Sequence, residues 1–197
     1  MADRVPLDFD PPVRQIRALL LGVDNRDLTM PTPCPDWPVA TLLDHLMGRT
    51  LAFTLAARKR AGADEQSAAG LSPQWRSRLP VLLTDLAIAW KEPVAWTGTA
   101  EVDGVILPAT AMGTVAMNEL VVHGWDLARA TGQDFAADPR VLEVLTEFLA
   151  QGSPDGSPGL FGPRVPVDPR EDLLLQMVAA AGRDPFWRRA RRHPSAA

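Results

Sequence analysis

Two histidines and a glutamate have the types and spacing that favour metal binding. Glu119 and His123 lie four residues apart in NELVVHGWD, and on a helix this spacing brings both side chains to one face. Carboxylate oxygen and imidazole nitrogen both bind borderline divalent cations. The pair by itself fits a buried Glu–His ion pair equally well. His45 in LLDHLMG is a third candidate ligand, since the remaining histidine, His193, lies in the C-terminal tail.

Glu119 is predicted to face inward on its helix. An advance of 100° per residue places it on one side of the helix with Met112, Val115, Val122, His123 and Asp126. A carboxylate among apolar side chains is costly unless a cation or several hydrogen bonds compensate it. We interpret Asp126 as an acceptor that fixes the tautomer of a ligating histidine, or as a helix-packing residue, with a fourth metal ligand as the alternative.

Other candidate residues have structural interpretations. His45 lies at the edge of the apolar stripe of its helix, where a lone histidine is more often satisfied or exposed than ligating. Cys34 lies between two prolines with no histidine near it in sequence, which favours a structural thiol over a ligand or nucleophile. Four of the six tryptophans are interpreted as core or pocket-wall residues, namely Trp37, Trp90, Trp96 and Trp125.

Hydrophobic periodicity predicts an all-α fold. Apolar residues recur at helical spacing in four long segments, at residues 12–23, 38–59, 72–90 and 109–131. Two shorter helices are predicted at 138–151 and 170–182, and β-forming residues around a turn predict a short hairpin within 93–109. Proline clusters mark the connections. We expect an antiparallel four-helix bundle, a fold whose ligand sites form between facing helices.

Composition limits the classes of partner. The formal charge of −4 argues against nucleic acid, because phosphate binding needs a positive surface. The basic cluster of residues 188–197 is interpreted as a flexible tail. No segment has the roughly 20 apolar residues that span a bilayer, and the N-terminus has no signal-peptide pattern. With one cysteine and no internal disulfide, we expect a cytoplasmic protein that binds a small molecule or thiol.

Three motifs resemble a known family. TPCPDWPVATLLDHLMG, NELVVHGWDLARATGQ and AAGRDPFW are together similar to the actinobacterial metal-binding family of the DinB-like superfamily, related to the mycothiol-dependent maleylpyruvate isomerase metal-binding domain. The resemblance covers one domain, residues 11–187. It implies a DinB-like bundle whose metal is held at one end by His45, Glu119 and His123. Zinc is the first expectation, with nickel or iron as alternatives, and mycothiol is the implied thiol.

The resemblance supports a metal site in this chain more strongly than it supports the isomerase reaction. The isomerase has an additional C-terminal domain, and we expect little room for one after residue 132. Our first hypothesis is a metal-dependent, mycothiol-type transferase or isomerase acting on a small electrophile. A metal-dependent hydrolase using Asp126 or Glu119 as proton acceptor is an alternative. Two further alternatives are not enzymes. One is a noncatalytic metal-binding or ligand-sensing module that forms a homodimer through a helix face, and the other is a purely structural bundle.

Overall fold

The computed structural model of the chain describes residues 6–60, 70–156 and 162–189. These ranges contain six α-helices and one two-stranded antiparallel sheet. In chain order the elements are α1 Asp10–Leu21, α2 Val39–Ala57, α3 Trp75–Lys91, β1 Thr99–Val102, β2 Val105–Pro108, α4 Ala109–Thr131, α5 Pro139–Ala150 and α6 Leu173–Ala180. No helix within these ranges combines the length and apolarity needed to cross a membrane.

The predicted helices are confirmed, with shifted ends. Helix α1 begins at Asp10 rather than residue 12, so Pro11 and Pro12 lie in its first turn. Proline is tolerated there because the N–H groups of the first turn have no partner within the helix. Helix α3 begins at Trp75, three residues later than expected. Helix α6 is shorter than its predicted span. Helix α2 ends at Ala57, two residues before its expected end.

Helices α1 to α4 form the predicted bundle. Helix α2 packs against both α3 and α4, and α1 packs against α3 and α4. The interior is filled by side chains with no more than 1% exposure, including Ile16, Leu42, Leu43, Leu46, Leu79, Leu83, Leu86 and Met117. Because α2 and α4 are in direct contact, side chains on their facing sides can meet within the bundle.

The predicted hairpin is also confirmed, and it leads directly into α4. Strands β1 and β2 pair antiparallel from Thr99 opposite Pro108 to Val102 opposite Val105. The two-residue turn between them consists of Asp103 at φ 51° and Gly104 at φ 77°, the left-handed conformation that tight hairpins need. The hairpin packs against α2 and α4, so its turn is held near the bundle.

The C-terminal segment packs back onto the bundle after α6. Gly182 has φ 82°, and a Cβ atom there would meet the backbone of Gly162 at 2.8 Å, so the close approach of these segments needs glycine. Arg189 donates to the carbonyl oxygen of Ala130 and lies 3.2 Å from Asp27. The remainder of the predicted flexible tail, from residue 190, lies outside the described residues.

Candidate metal centre

The three predicted ligands meet where α2 faces α4. His45 Nε2 lies 2.9 Å from Glu119 Oε2, and His123 Nε2 lies 3.4 Å from the same oxygen. One potential ligand atom from each residue lies within 4.8 Å of the other two. Tetrahedral zinc, with bonds of about 2.0 Å, separates its donor atoms by roughly 3.3 Å. The donor types and their spacing therefore fit a small divalent cation.

Helix packing places the charged member of this cluster inside the protein. The side chain of Glu119 is 12% exposed and that of His123 is 6% exposed, whereas 26% of the His45 side chain remains exposed. The inward orientation predicted for Glu119 is thus correct. The exposed part of His45 leaves the cluster open on the α2 side, as its position at the edge of the apolar stripe predicts.

Mutual hydrogen bonding determines the charge of the cluster. Burial alone raises the pKa of Glu119, but hydrogen bonds with His123 and His45 hold that pKa well below its ordinary value. Burial lowers the pKa of His45 despite its contact with Glu119. At neutral pH Glu119 is therefore an anion that accepts from the Nε2–H of a neutral His45 imidazole.

His123 differs because it contacts carboxylates on both edges of its ring. Burial disfavours its charged form, but hydrogen bonds with Asp126 and Glu119 raise its pKa overall. Nδ1 lies 3.0 Å from Asp126 Oδ2, on the ring edge away from Glu119. In the neutral ring, Nδ1–H donates to Asp126 and leaves the Nε2 lone pair facing the cluster. Asp126 thus fixes the tautomer that metal binding needs.

Asp126 is itself paired with a cation from the C-terminal segment. Arg183 donates from Nε at 3.3 Å and from Nη2 at 3.2 Å to Asp126 Oδ2. Both side chains are buried, and the neighbouring carboxylate helps raise the pKa of Arg183 although burial opposes this. The structure therefore supports the interpretation of Asp126 as an acceptor behind His123 and adds Arg183 as its counterion.

Trp37 forms a wall beside both histidines. Its ring centroid lies 4.7 Å from that of His45 and 5.8 Å from that of His123, the latter ring being nearly parallel. The hydroxyl of Thr32 accepts from the backbone N–H of Cys34 and donates to the carbonyl oxygen of Trp37, which fixes the loop. The pocket-wall interpretation of Trp37 agrees with this position.

Cys34 lies beside the centre without belonging to the three-residue cluster. Its Sγ is 3.5 Å from Arg183 Nη2. Burial raises the pKa of the thiol to about 11, although the positive charge of Arg183 opposes this shift. The thiol is therefore protonated at neutral pH, which agrees with its interpretation as structural and disfavours a nucleophilic role.

Sequence reasoning assigned no role to Arg183. The residue stands in the motif AAGRDPFW, but it is 57 positions from Asp126 and follows a turn. One available signal was the predicted inward orientation of Asp126, since a buried carboxylate requires a cation or donors. Gly182 was a second signal, because glycine before an arginine indicates a tight turn that can bring the side chain back to the bundle.

Comparison with known proteins agrees with the sequence resemblance. The sequence model of the mycothiol maleylpyruvate isomerase N-terminal domain matches residues 9–128, a span that includes all three candidate ligands. Uncharacterized proteins from two strains of Mycobacterium tuberculosis, CDC 1551 / Oshkosh and ATCC 25618 / H37Rv, are each 27% identical over 173 residues. Each match covers 83% of this chain and 88% of the relative.

Two solved structures share the fold. The mycothiol-dependent maleylpyruvate isomerase is 19% identical, with a TM-score of 0.50, covering 72% of this chain and 66% of that one. A histidine-to-alanine mutant of the same enzyme is 18% identical, with a TM-score of 0.52, covering 74% of this chain and 70% of that one. At this identity the likeness establishes the helical fold.

Proposed function

Since this chain belongs to the mycothiol maleylpyruvate isomerase N-terminal domain family, we propose that it is a metal-dependent, mycothiol-type transferase or isomerase acting on a small electrophile. His45, Glu119 and His123 would hold the metal, for which zinc is the first choice. The observation that carries this proposal is the meeting of three donor side chains from two helices around one point, beside an aromatic wall.

Three protein ligands are the number found in catalytic zinc sites, where a fourth position takes water or substrate. Bound there, a metal supplies the positive charge that stabilises a thiolate or hydroxide at neutral pH. The partial exposure of His45 places the open side of the cluster at α2. A small thiol or electrophile would enter from that side, while the α4 side is closed by packing.

The residues around the centre keep the donors ready for a cation. Asp126 accepts from the Nδ1–H of His123, so Nε2 is the ring nitrogen that a metal would take after displacing its proton. The lowered pKa of Glu119 keeps this carboxylate ionised, and its charge adds to the attraction for a divalent ion. The Trp37 ring lies against both imidazoles.

The state of Cys34 supports an external thiol. With a pKa of about 11 this side chain is not a nucleophile near pH 7, so the chain does not supply a reactive thiolate at this position. A nucleophile would then have to come from outside the chain, and we propose a low-molecular-weight thiol because the description of the chain's family names mycothiol.

The arrangement disfavours the hydrolase alternative with Asp126 as the base. Asp126 is fully buried and contacts the Nδ1 edge of His123, whereas the cluster lies at the Nε2 edge. It is therefore not placed to accept a proton from a water bound at the cluster. Glu119 already contacts both histidines, which leaves it better suited to ligation than to proton transfer.

The proposal is tested by measuring conversion of small electrophiles, including maleylpyruvate, by the zinc-loaded protein with and without mycothiol. We expect turnover that requires the thiol and disappears in His123→Ala. Turnover by the zinc-loaded protein without thiol would support hydrolysis instead. Tight, stoichiometric zinc without turnover under either condition would support the noncatalytic metal-binding module.

A further inference from the structure

We propose that Arg49 binds a carboxylate of the small molecule that reacts at the metal centre, and that Asp103 holds the Arg49 side chain when no such molecule is present. This inference rests on the proposed function and deepens it, because it names an anionic substrate or cosubstrate. The juxtaposition that carries it is His45, then Arg49 one helical turn later, then Asp103 at the tip of the hairpin.

Helix geometry places Arg49 next to the open side of the centre. Arg49 follows His45 by four residues on α2, so both side chains lie on the same face of the helix. Side chains at this spacing are neighbours on the helix surface, so Arg49 flanks the exposed side of His45.

The partner of Arg49 is a carboxylate that a ligand can replace. Arg49 Nη2 forms an ion pair with Asp103 Oδ2, and the Asp103 side chain is 59% exposed. Exposed ion pairs contribute little to stability because water competes for both charges. Exchanging Asp103 for the carboxylate of a bound molecule therefore costs little. The left-handed turn at Asp103 and Gly104 fixes the backbone that carries the competing carboxylate.

Arg49 has donors available for a ligand, whereas Arg183, the second cation near the centre, does not. Arg183 is buried and uses its donors on Asp126, on the carbonyl oxygen of Ala181 and on Cys34. Arg49 is 28% exposed, and its guanidinium carries five donors in a planar array that matches a carboxylate with two parallel hydrogen bonds. An incoming anion would thus meet Arg49 rather than Arg183.

The test compares two thiols of the same chain length, 3-mercaptopropionate, which carries a carboxylate, and 3-mercaptopropan-1-ol, which carries a neutral hydroxyl group. The protein is loaded with Co²⁺, and thiol binding is followed by thiolate-to-cobalt charge-transfer absorption. We expect the carboxylate to bind about tenfold more tightly than the alcohol, the amount typical of a hydrogen bond to a charged group. Arg49→Gln is expected to remove this preference and leave the affinity for the alcohol unchanged.

Matched variants separate a local role from a general charge effect. Arg58→Gln removes an exposed arginine at the end of the same helix and is expected to keep the preference. Asp103→Asn removes the competing carboxylate without touching Arg49 and is expected to increase the preference. Arg49→Lys keeps the charge but not the paired donors, so an intermediate preference is expected.

The outcomes distinguish the two proposals. Absence of stoichiometric cobalt, or of any charge-transfer band with the alcohol, contradicts the proposed function and this inference together. Cobalt and thiol binding with equal affinities for both thiols overturns the Arg49 assignment alone. The same conclusion follows if Arg49→Gln, shown to be folded by circular dichroism, keeps the wild-type preference, or if Asp103→Asn weakens it.

Discussion

The two helices that meet at the candidate centre hold their histidines in different ways. On α4, His123 is 6% exposed and has a carboxylate at each ring nitrogen. On α2, His45 is 26% exposed, and its hydrogen-bonding contact is with Glu119. A buried side and an open side thus face each other across one carboxylate oxygen.

This difference suggests that the two helices have different roles in the candidate centre. The α4 side is connected through Asp126 to Arg183 and the C-terminal segment, so its donors are fixed before any ligand arrives. The α2 side lies beside Trp37 and one turn from Arg49, where a small molecule can approach. Fixed donors on one side and an exposed imidazole on the other are what the proposed metal site would need.

The largest expected effect is loss of metal when either histidine is removed. His123→Ala and His45→Ala each delete one of three donors, and we expect either change to weaken metal affinity by more than about 100-fold, beyond what outer-shell changes cost. Metal content after dialysis, measured by mass spectrometry, checks this. His193→Ala, which removes the third histidine of the chain, is the control and should retain metal. Equal metal content in His123→Ala and wild type would contradict the ligand set.

The second prediction extends the comparison to Cys34, which lies against Arg183. A pKa raised from 9.0 to about 11 makes the thiolate roughly 100-fold rarer near neutral pH than in the unfolded chain. Alkylation by iodoacetamide should be slower in the folded protein by about this factor. Because the thiolate is the reactive form, the rate should rise with pH until about 11. The urea-unfolded protein provides the reference rate, and equal rates in both states would show that the thiol is not held as described.

The third prediction addresses the contact behind His123. Asp126→Asn keeps the shape but removes the charge between His123 and Arg183, so we expect metal affinity to fall by about 10- to 100-fold. Loss of one partner from a buried ion pair should also lower the free energy of unfolding by about 3–5 kcal/mol. Metal titration and urea denaturation measure the two effects. The exposed Asp134→Asn is the matched control and should change neither.

The smallest expected effect is a difference in stability between the metal-free histidine variants. His123→Ala leaves buried polar groups without their partner and should cost about 1–3 kcal/mol, whereas His45→Ala should cost less than about 1 kcal/mol. Urea denaturation with a chelator present measures both. The raised pKa of His123 gives the pH dependence: its contribution is full below 6.5 and is lost as pH rises through the raised value. A larger loss in His45→Ala would reverse the comparison.

The sequence alone was sufficient to predict the helices, the hairpin and the α4 side of the candidate centre. Apolar periodicity located all four bundle helices, and Asp103-Gly104 marked the hairpin turn. The four-residue spacing of Glu119 and His123, together with the inward wheel position, predicted their contact. These features depend on residues within a turn or two of each other, so local chain geometry specifies them.

Contacts between distant segments could not be obtained in this way. His45 was named by elimination among three histidines and strengthened by the family resemblance. Its contact with Glu119, 74 positions away, exists because α2 packs on α4. Arg183 reaches Asp126 because Gly182 and Gly162 approach closely after α6. Arg49 meets Asp103 because the hairpin folds against α2.

The sequence by itself determined which residues have metal-binding chemistry and which two share a helix face. Only the tertiary structure decided that His123 would be the buried candidate ligand and His45 the more exposed one. The physical reason is that periodicity fixes the direction of a side chain relative to its own helix. Burial, pKa and pairing depend on what the neighbouring helices and the C-terminal segment place against that side chain.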